Sequence, residues 1–188
     1  MRVISGTAGG LRLVAPTGRE TRPTADRVKE AMFSILESRG ALQDASVLDI
    51  FAGSGALGIE ALSRGASRVI MIDKSRQAAE SIRKNLANTS FAANAEIMCS
   101  DFAVALERIR KTGSFFDLVL IDPPYTGGIH LKAIELASGL LAPGGLLLAE
   151  TSSKLPLPDH AGNLSRSDRR VYGDTAIELF LAEESHAP

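Results

Sequence analysis

The 188-residue sequence predicts an open α/β sheet of seven strands, mostly parallel with one antiparallel strand near an edge. Three observations predict it. Short apolar runs, too continuous for a sheet wetted on one face, alternate with helical patterns, as parallel strands covered on both faces do. The C-terminal part breaks that alternation with two strand-like runs joined by Gly173-Asp174, a hairpin signal. A glycine-rich turn follows the first apolar run, where sheets of this kind open to ligands.

Residues 1–23 are rich in Gly, Thr and Arg and read as a hairpin-like arm around Gly9-Gly10. From Thr24, the expected N-cap, Val28, Ala31, Met32 and Ile35 recur at helical spacing, so a helix runs to about Arg39. Strands are expected at Val47–Phe51, Val69–Ile72, Glu96–Met98, Asp117–Ile121 and Leu146–Ala149. Helices fill the gaps near Ala56–Arg64, Ser75–Asn88, Phe102–Lys111 and Ile129–Gly139. Ser165–Tyr172 and Ala176–Ala182 form the closing hairpin, and residues 24–188 make one compact unit behind the arm.

Composition removes several classes of function. With 45% hydrophobic and 23% charged residues the chain has material for a full core. A single cysteine, Cys99, cannot close an intramolecular disulfide and is expected in the core. No apolar run reaches the roughly 18 residues of a membrane span and no signal-peptide core is visible, so a cytoplasmic location is expected. Net charge is −1, yet Met1 to Lys29 holds six basic residues against two acidic ones. Lys154 to Tyr172 adds Lys154, Arg166, Arg169 and Arg170 against Asp159 and Asp168. Basic patches on a near-neutral body suit a protein that grips a phosphate backbone at its edges, or they are ordinary solvated surface.

The first strand runs into Asp49-Ile50-Phe51-Ala52-Gly53-Ser54-Gly55-Ala56-Leu57-Gly58. Glycines at this spacing let a backbone approach a ligand, and a nicotinamide enzyme would show them too. Asp49 tilts the balance, because a carboxylate there repels a pyrophosphate but can face a cation. Asp73, 20 residues after Gly53, can accept both hydroxyls of a ribose. S-adenosylmethionine, with an ammonium, a sulfonium, a ribose and no phosphate, meets these demands better than NAD. Asp101 can accept from its adenine amine, with Phe102 against the ring, unless Asp101 is only a helix N-cap. The candidate cofactor residues are therefore Asp49, Phe51, Gly53, Gly55, Asp73, Lys74, Asp101 and Phe102.

The fourth strand ends in Asp122-Pro123-Pro124-Tyr125. Two prolines hold the chain extended and remove two amide donors, so carbonyls and the Asp122 carboxylate can accept from an exocyclic amine while Tyr125 stacks on its base. No Cys/His cluster has zinc spacing, so no metal is expected. Histidines have no required role, and His130 is expected at a solvated helix start. Asp-Pro-Pro-Tyr resembles the signature of methyltransferases that modify planar amino nitrogens. Together with Arg22-Pro23-Thr24-Ala25-Asp26-Arg27, the glycine turn and Tyr172-Gly173-Asp174-Thr175, it is similar to the RsmD family of bacterial 16S ribosomal RNA guanine-N2 methyltransferases, from about Val3 to Leu181.

That resemblance implies a class I, Rossmann-like methyltransferase fold and S-adenosylmethionine as donor. It also implies a guanine of 16S ribosomal RNA as acceptor, within the small ribosomal subunit or an assembly intermediate. Asp122, Pro123, Pro124 and Tyr125 become the catalytic pocket. Arg12, Arg22, Thr24 and Arg27 are the candidates for contacting RNA, although Gly9-Gly10-Leu11-Arg12 carries less charge than the family's arm. Nothing demands more than a monomer. The alternatives are an adenine-N6 methyltransferase on DNA or RNA and, more remotely, a nicotinamide-dependent oxidoreductase.

Overall fold

A computed structural model describes residues 1–16, 23–123 and 128–182. Helix α1 (Pro23–Ser38) precedes β1 (Ser46–Ile50), α2 (Ala56–Ser63), β2 (Arg68–Asp73), α3 (Arg76–Thr89) and β3 (Ala95–Cys99). Next come α4 (Phe102–Lys111), β4 (Phe116–Ile121), α5 (Ile129–Ser138) and β5 (Leu141–Ser152). The chain closes with β6 (His160–Ala161), β7 (Leu164–Tyr172) and β8 (Thr175–Ala182). All lie in one sheet of order β3-β2-β1-β4-β5-β8-β7-β6. Strands β1 to β5 pair in parallel, and β8 inserts antiparallel between β5 and β7. The seven expected strands are present, and the two-residue β6 adds an eighth at the β7 edge. The order reverses direction between β1 and β4, which makes their carboxyl ends the crevice of this sheet.

The apolar runs work because both faces of the sheet are covered. Val47, Met71, Leu118, Leu120, Leu146 and Leu148 point to the side packed by α1, α2 and α3. Their chain neighbours Leu48, Ile72, Val119, Leu147 and Ala149 point to the side packed by α4 and α5. Alternation of period two thus survives inside runs that look uniformly apolar. Asp49 falls on the first side, beneath the start of α2.

Four expectations need correcting. Thr24 is not the N-cap of α1, because the helix already begins at Pro23, whose fixed φ and missing N–H suit a first helical position. β1 ends at Ile50, with Phe51 in a left-handed turn at φ 70. Cys99 is exposed, since β3 is the outer strand and its end is open to solvent. Lys29 is buried rather than part of a basic surface.

The burial of Lys29 explains how the arm is held. Glu60 on α2, fully buried, accepts from the backbone N–H of Ile4 (2.7 Å) and Ser5 (3.0 Å). It also pairs with Lys29 Nζ at 3.2 Å and Arg64 Nε at 2.7 Å, and Lys29 Nζ donates to the Arg2 carbonyl. The arm folds back on itself through an Arg2–Arg12 bridge and a Val3 N–H to Leu11 carbonyl bond. Its turn presses onto the end of α2, where Thr7 N–H reaches the Ser63 carbonyl and Ala8 N–H the Ser63 hydroxyl.

Gly6 is the tightest point, at φ +82 with an added Cβ falling 1.8 Å from Ser63 O. Neither backbone can yield. Gly6→Ala is therefore expected to lower stability by about 2–4 kcal/mol, the sum of a left-handed backbone cost and an overpacking cost. Urea unfolding measures it, and a loss below about 0.5 kcal/mol, the level of a neutral surface change, would show that the arm is not held at this point.

Candidate active site

The turn after β1 is built from left-handed residues. Phe51 (φ 70), Gly53 (φ 59) and Gly55 (φ 78) let Ala52 N–H reach the Ile72 carbonyl and Gly55 N–H the Ala52 carbonyl. A phenylalanine holds such a φ at a cost of about 1–2 kcal/mol. The conformation sets its ring 5.0 Å from that of Phe102, tilted by 50°. Gly55 starts α2 from within the core, where a Cβ would meet Met71, Ile82 and Ile59. At Gly58 a Cβ would lie 2.6 Å from Met71 Cε and 3.0 Å from Val69 Cγ2, so this glycine sets how closely α2 approaches β2.

Asp73, at the end of β2, orders the turn beside it. One oxygen accepts from Gly53 N–H (2.9 Å) and the other from Ser75 N–H (2.8 Å), which aims the carboxylate across the mouth of the turn. Phe51, Gly53, Asp73, Lys74, Asp101 and Phe102 line one cavity of about 300 Å³. Six of the eight expected donor residues thus converge from the ends of β1, β2 and β3. Asp101 caps α4 by accepting from Ala103 N–H (2.9 Å), and it also lines the cavity.

A second cavity of about 130 Å³ adjoins the first through Phe51 and Pro16, which line both. Among the described residues its walls carry the carboxyl groups of Asp26, Asp49, Asp122 and Glu150, together with Met1 and with Lys29, whose ammonium is already paired with Glu60. Asp49 is 1% exposed, and its Oδ2 accepts from Gly58 N–H near the start of α2 at 2.9 Å. Burial pushes its carboxyl up to about 7; the Gly58 bond opposes the shift and the charge of Asp73 adds to it. Such a wall welcomes a cation and repels a pyrophosphate. The residues therefore fit S-adenosylmethionine: aromatic rings and a ribose-type acceptor, Asp73, line the larger cavity, and acidic groups that suit a cationic end line the smaller. Pro16, Asp26, Lys29 and Glu150 have no counterpart among the residues expected from the sequence, because no local pattern brings them to this wall.

The raised Asp49 value has a testable sign. In the folded protein the proton stays bound up to about pH 7, whereas the ordinary value is 3.8. This contribution to stability is present below the ordinary value and is lost as pH rises through about 7. Asp49→Asn, which can still accept from Gly58, is expected to melt about 10 °C above the parent at pH 8, with the gap closing toward pH 4. Thermal unfolding without ligand checks this, and a gap that is the same at both pH values would sink it.

Asp122 and Pro123 follow β4 directly, half-buried and buried respectively, while Pro124, Tyr125 and Arg22 lie outside the described residues. Arg12 and Arg27 are exposed, and Thr24 is placed in α1 by its backbone. His130 is not a solvated helix-start residue: half-buried, it places Nε2 3.1 Å from the Glu150 carbonyl, and burial lowers its pKa. Two of the second patch's four cations, Arg166 and Arg169, turn onto the buried Glu178, while Lys154 and Arg170 stay at the surface. Arg166 bonds the buried Glu178 at 2.9 Å and also pairs with Asp159, and Arg170 bonds Asp168 at 3.0 Å. Glu178 itself also accepts from Thr151 Oγ1 and Leu157 N–H. Among the described residues no group of three or more His, Cys, Asp or Glu is placed to hold a metal ion, and no helix is long and apolar enough to cross a membrane.

The sequence matches the family described as "Conserved hypothetical protein 95" over residues 1–181. It is 36% identical to the putative rRNA methyltransferase YlbH of Bacillus subtilis, covering 96% of this chain and 98% of that protein. It is also 36% identical to ribosomal RNA small subunit methyltransferase D of Escherichia coli K12, covering 97% and 90% respectively. Among solved structures, the putative methyltransferase yhhF from Escherichia coli superimposes with a TM-score of 0.81 at 35% identity, covering 98% of this chain and 99% of that one. The sheet order, the glycine turn and the full-length similarity lead to one assignment: the chain has the class I methyltransferase fold and belongs to this family, that of ribosomal RNA small subunit methyltransferase D.

Proposed function

We propose that this protein transfers a methyl group from S-adenosylmethionine to the exocyclic N2 amine of a guanine in 16S ribosomal RNA. Membership of a family whose relatives are named as small-subunit ribosomal RNA methyltransferases supports the RNA class. The observation that carries the chemistry is the placing of Asp122 and Pro123 at the end of β4, with Asp122 on the wall of the acidic cavity beside Asp49.

When bound, S-adenosylmethionine supplies a methyl group activated by its sulfonium. Asp73 would hold the ribose hydroxyls, Phe51 and Phe102 would hold the adenine, and Asp49 and its acidic neighbours would balance the positive end. Asp122 and the Pro123 carbonyl accept the two N–H groups of the target amine. They aim its lone pair at the methyl carbon and stabilise the positive charge that grows on nitrogen. Tyr125 stacks on the base. With the donor bound, transfer would form a C–N bond as the S–CH3 bond breaks, and Asp122 or solvent would take the amine proton. The base must leave its stack to enter, which favours a loop or junction of the RNA. Arg12, Arg22, Thr24 and Arg27 are the residues assigned to RNA contact in this reading. The protein works as a cytoplasmic monomer on the small subunit or an assembly intermediate.

The test is transfer of labelled methyl from S-adenosylmethionine to small ribosomal subunits from cells lacking the protein, followed by digestion to nucleosides. Label in N2-methylguanosine is expected. Label in N6-methyladenosine would replace the acceptor and keep the donor site, and absence of label from RNA would overturn the proposal.

A further inference from the structure

We infer that Asn85 is a positioning residue for the donor, acting through the arm rather than by touching the ligand. The inference rests on S-adenosylmethionine being the donor. Asn85 lies on α3, is fully buried and spends its whole side-chain amide on two distant segments. Its Oδ1 accepts from Val14 N–H at 2.8 Å. Its Nδ2 donates to the Val14 carbonyl and to the Ser54 carbonyl, each at 2.9 Å. One amide thus clips the outgoing end of the arm to the glycine turn.

The two residues after Val14 form part of the wall of the site. Ala15 lines the smaller cavity, and Pro16 lines both cavities at their junction. A ligand with a ribose in one cavity and a cationic end in the other passes beneath Pro16. Pro16 has a fixed φ and no N–H to leave unsatisfied, so it offers this junction a rigid apolar edge. Its placement depends on Val14, whose two backbone groups Asn85 holds at once. Loss of the amide would strand the Val14 N–H and the Val14 and Ser54 carbonyls together and release the wall from the turn. The arm is accordingly part of the donor site.

The test is a double-mutant cycle read by titration calorimetry with S-adenosylhomocysteine, using the wild-type protein, Pro16→Gly, Asn85→Ala and the double variant. Each single change is expected to weaken binding about 10-fold. The double variant should lose about 10- to 20-fold rather than the roughly 100-fold product of independent sites. In turnover, the KM for S-adenosylmethionine should rise about 10-fold while kcat at saturating donor stays within about twofold, a split that simple loss of folded protein does not produce. Pro16→Gly, which removes no hydrogen bond, keeps the inference open to refutation even where Asn85→Ala fails to fold. Unchanged affinity in Pro16→Gly, or a fully multiplicative double variant, overturns it. A wild-type protein that does not bind S-adenosylhomocysteine would overturn the donor assignment itself.

Discussion

Replacing Asp122 by alanine is expected to lower kcat for methyl transfer to RNA by about 10²–10⁴-fold, the range for loss of a group that handles a reacting proton or the charge beside it. Asp122 lines the smaller cavity directly after β4 and not the larger one, so under the proposed function its carboxylate faces the acceptor rather than the adenosine. Affinity for S-adenosylhomocysteine should accordingly change only a few-fold, a kcat effect without a matching donor effect. Asp122→Asn should fall between, since its amide oxygen accepts one N–H while its amide nitrogen opposes the other. Labelled-methyl transfer with nucleoside analysis reads the first quantity and calorimetry the second. Activity within about threefold of the parent would remove Asp122 from the chemistry and leave the Asp-Pro-Pro-Tyr turn as a rigid strand ending.

Glu60→Ala is expected to cost about 3–5 kcal/mol of stability, the scale for breaking a buried ion pair from one side. The carboxylate is 0% exposed and serves four groups, Lys29, Arg64 Nε, the N–H of Ile4 and the N–H of Ser5, while Lys29 also donates to the Arg2 carbonyl. Removing it leaves two cations of low exposure without their shared counter-charge, and two backbone donors without acceptors. Arg64 retains Glu37 at 3.0 Å and the face of Phe33 at 5.1 Å, so Lys29 suffers more. Burial already lowers its pKa against the raising effect of Glu60, and without that partner the pKa is expected to fall further. Urea unfolding at pH 7 measures the loss, and the melting temperature should fall by about 10 °C. A cost below about 1 kcal/mol, as for an exposed pair, would contradict the geometry. Glu60→Gln should recover part of it, because one oxygen still accepts from the arm.

Glu60 and Asp122 differ in how visible they are in the sequence. Asp122 sits between an apolar strand and two prolines, so its neighbours announce both the strand end and the extended turn. Glu60 sits in Ala-Leu-Gly-Ile-Glu-Ala-Leu-Ser, where nothing marks one glutamate as a hub for groups up to 56 residues away. Asn85 and Glu178 are hidden in the same way, the first in a polar helix and the second in an apolar strand. Pro16 and Glu150 reach the acidic cavity from the arm and from the end of β5, two places that only the packed sheet brings together. Lys29, Arg166 and Arg169 show the reverse error. A count of charges treats every arginine and lysine as surface, and these turn onto the buried Glu60 and Glu178.

By itself the sequence determined the parallel sheet, its antiparallel strand, the glycine turn and the Asp73 and Asp122 ends. These rest on local preferences: continuous apolar runs need burial on both faces, glycine permits positive φ, and proline forbids helix. Tertiary structure alone decided which polar groups are internal, that Asp49 lies in a cavity wall that raises its pKa, and that the arm reaches the donor cavity. The physical reason is that the state of a polar side chain depends on its partners. A buried charge or amide is tolerable only where another segment supplies complementary groups at hydrogen-bonding distance, and periodicity along the chain carries no information about that segment.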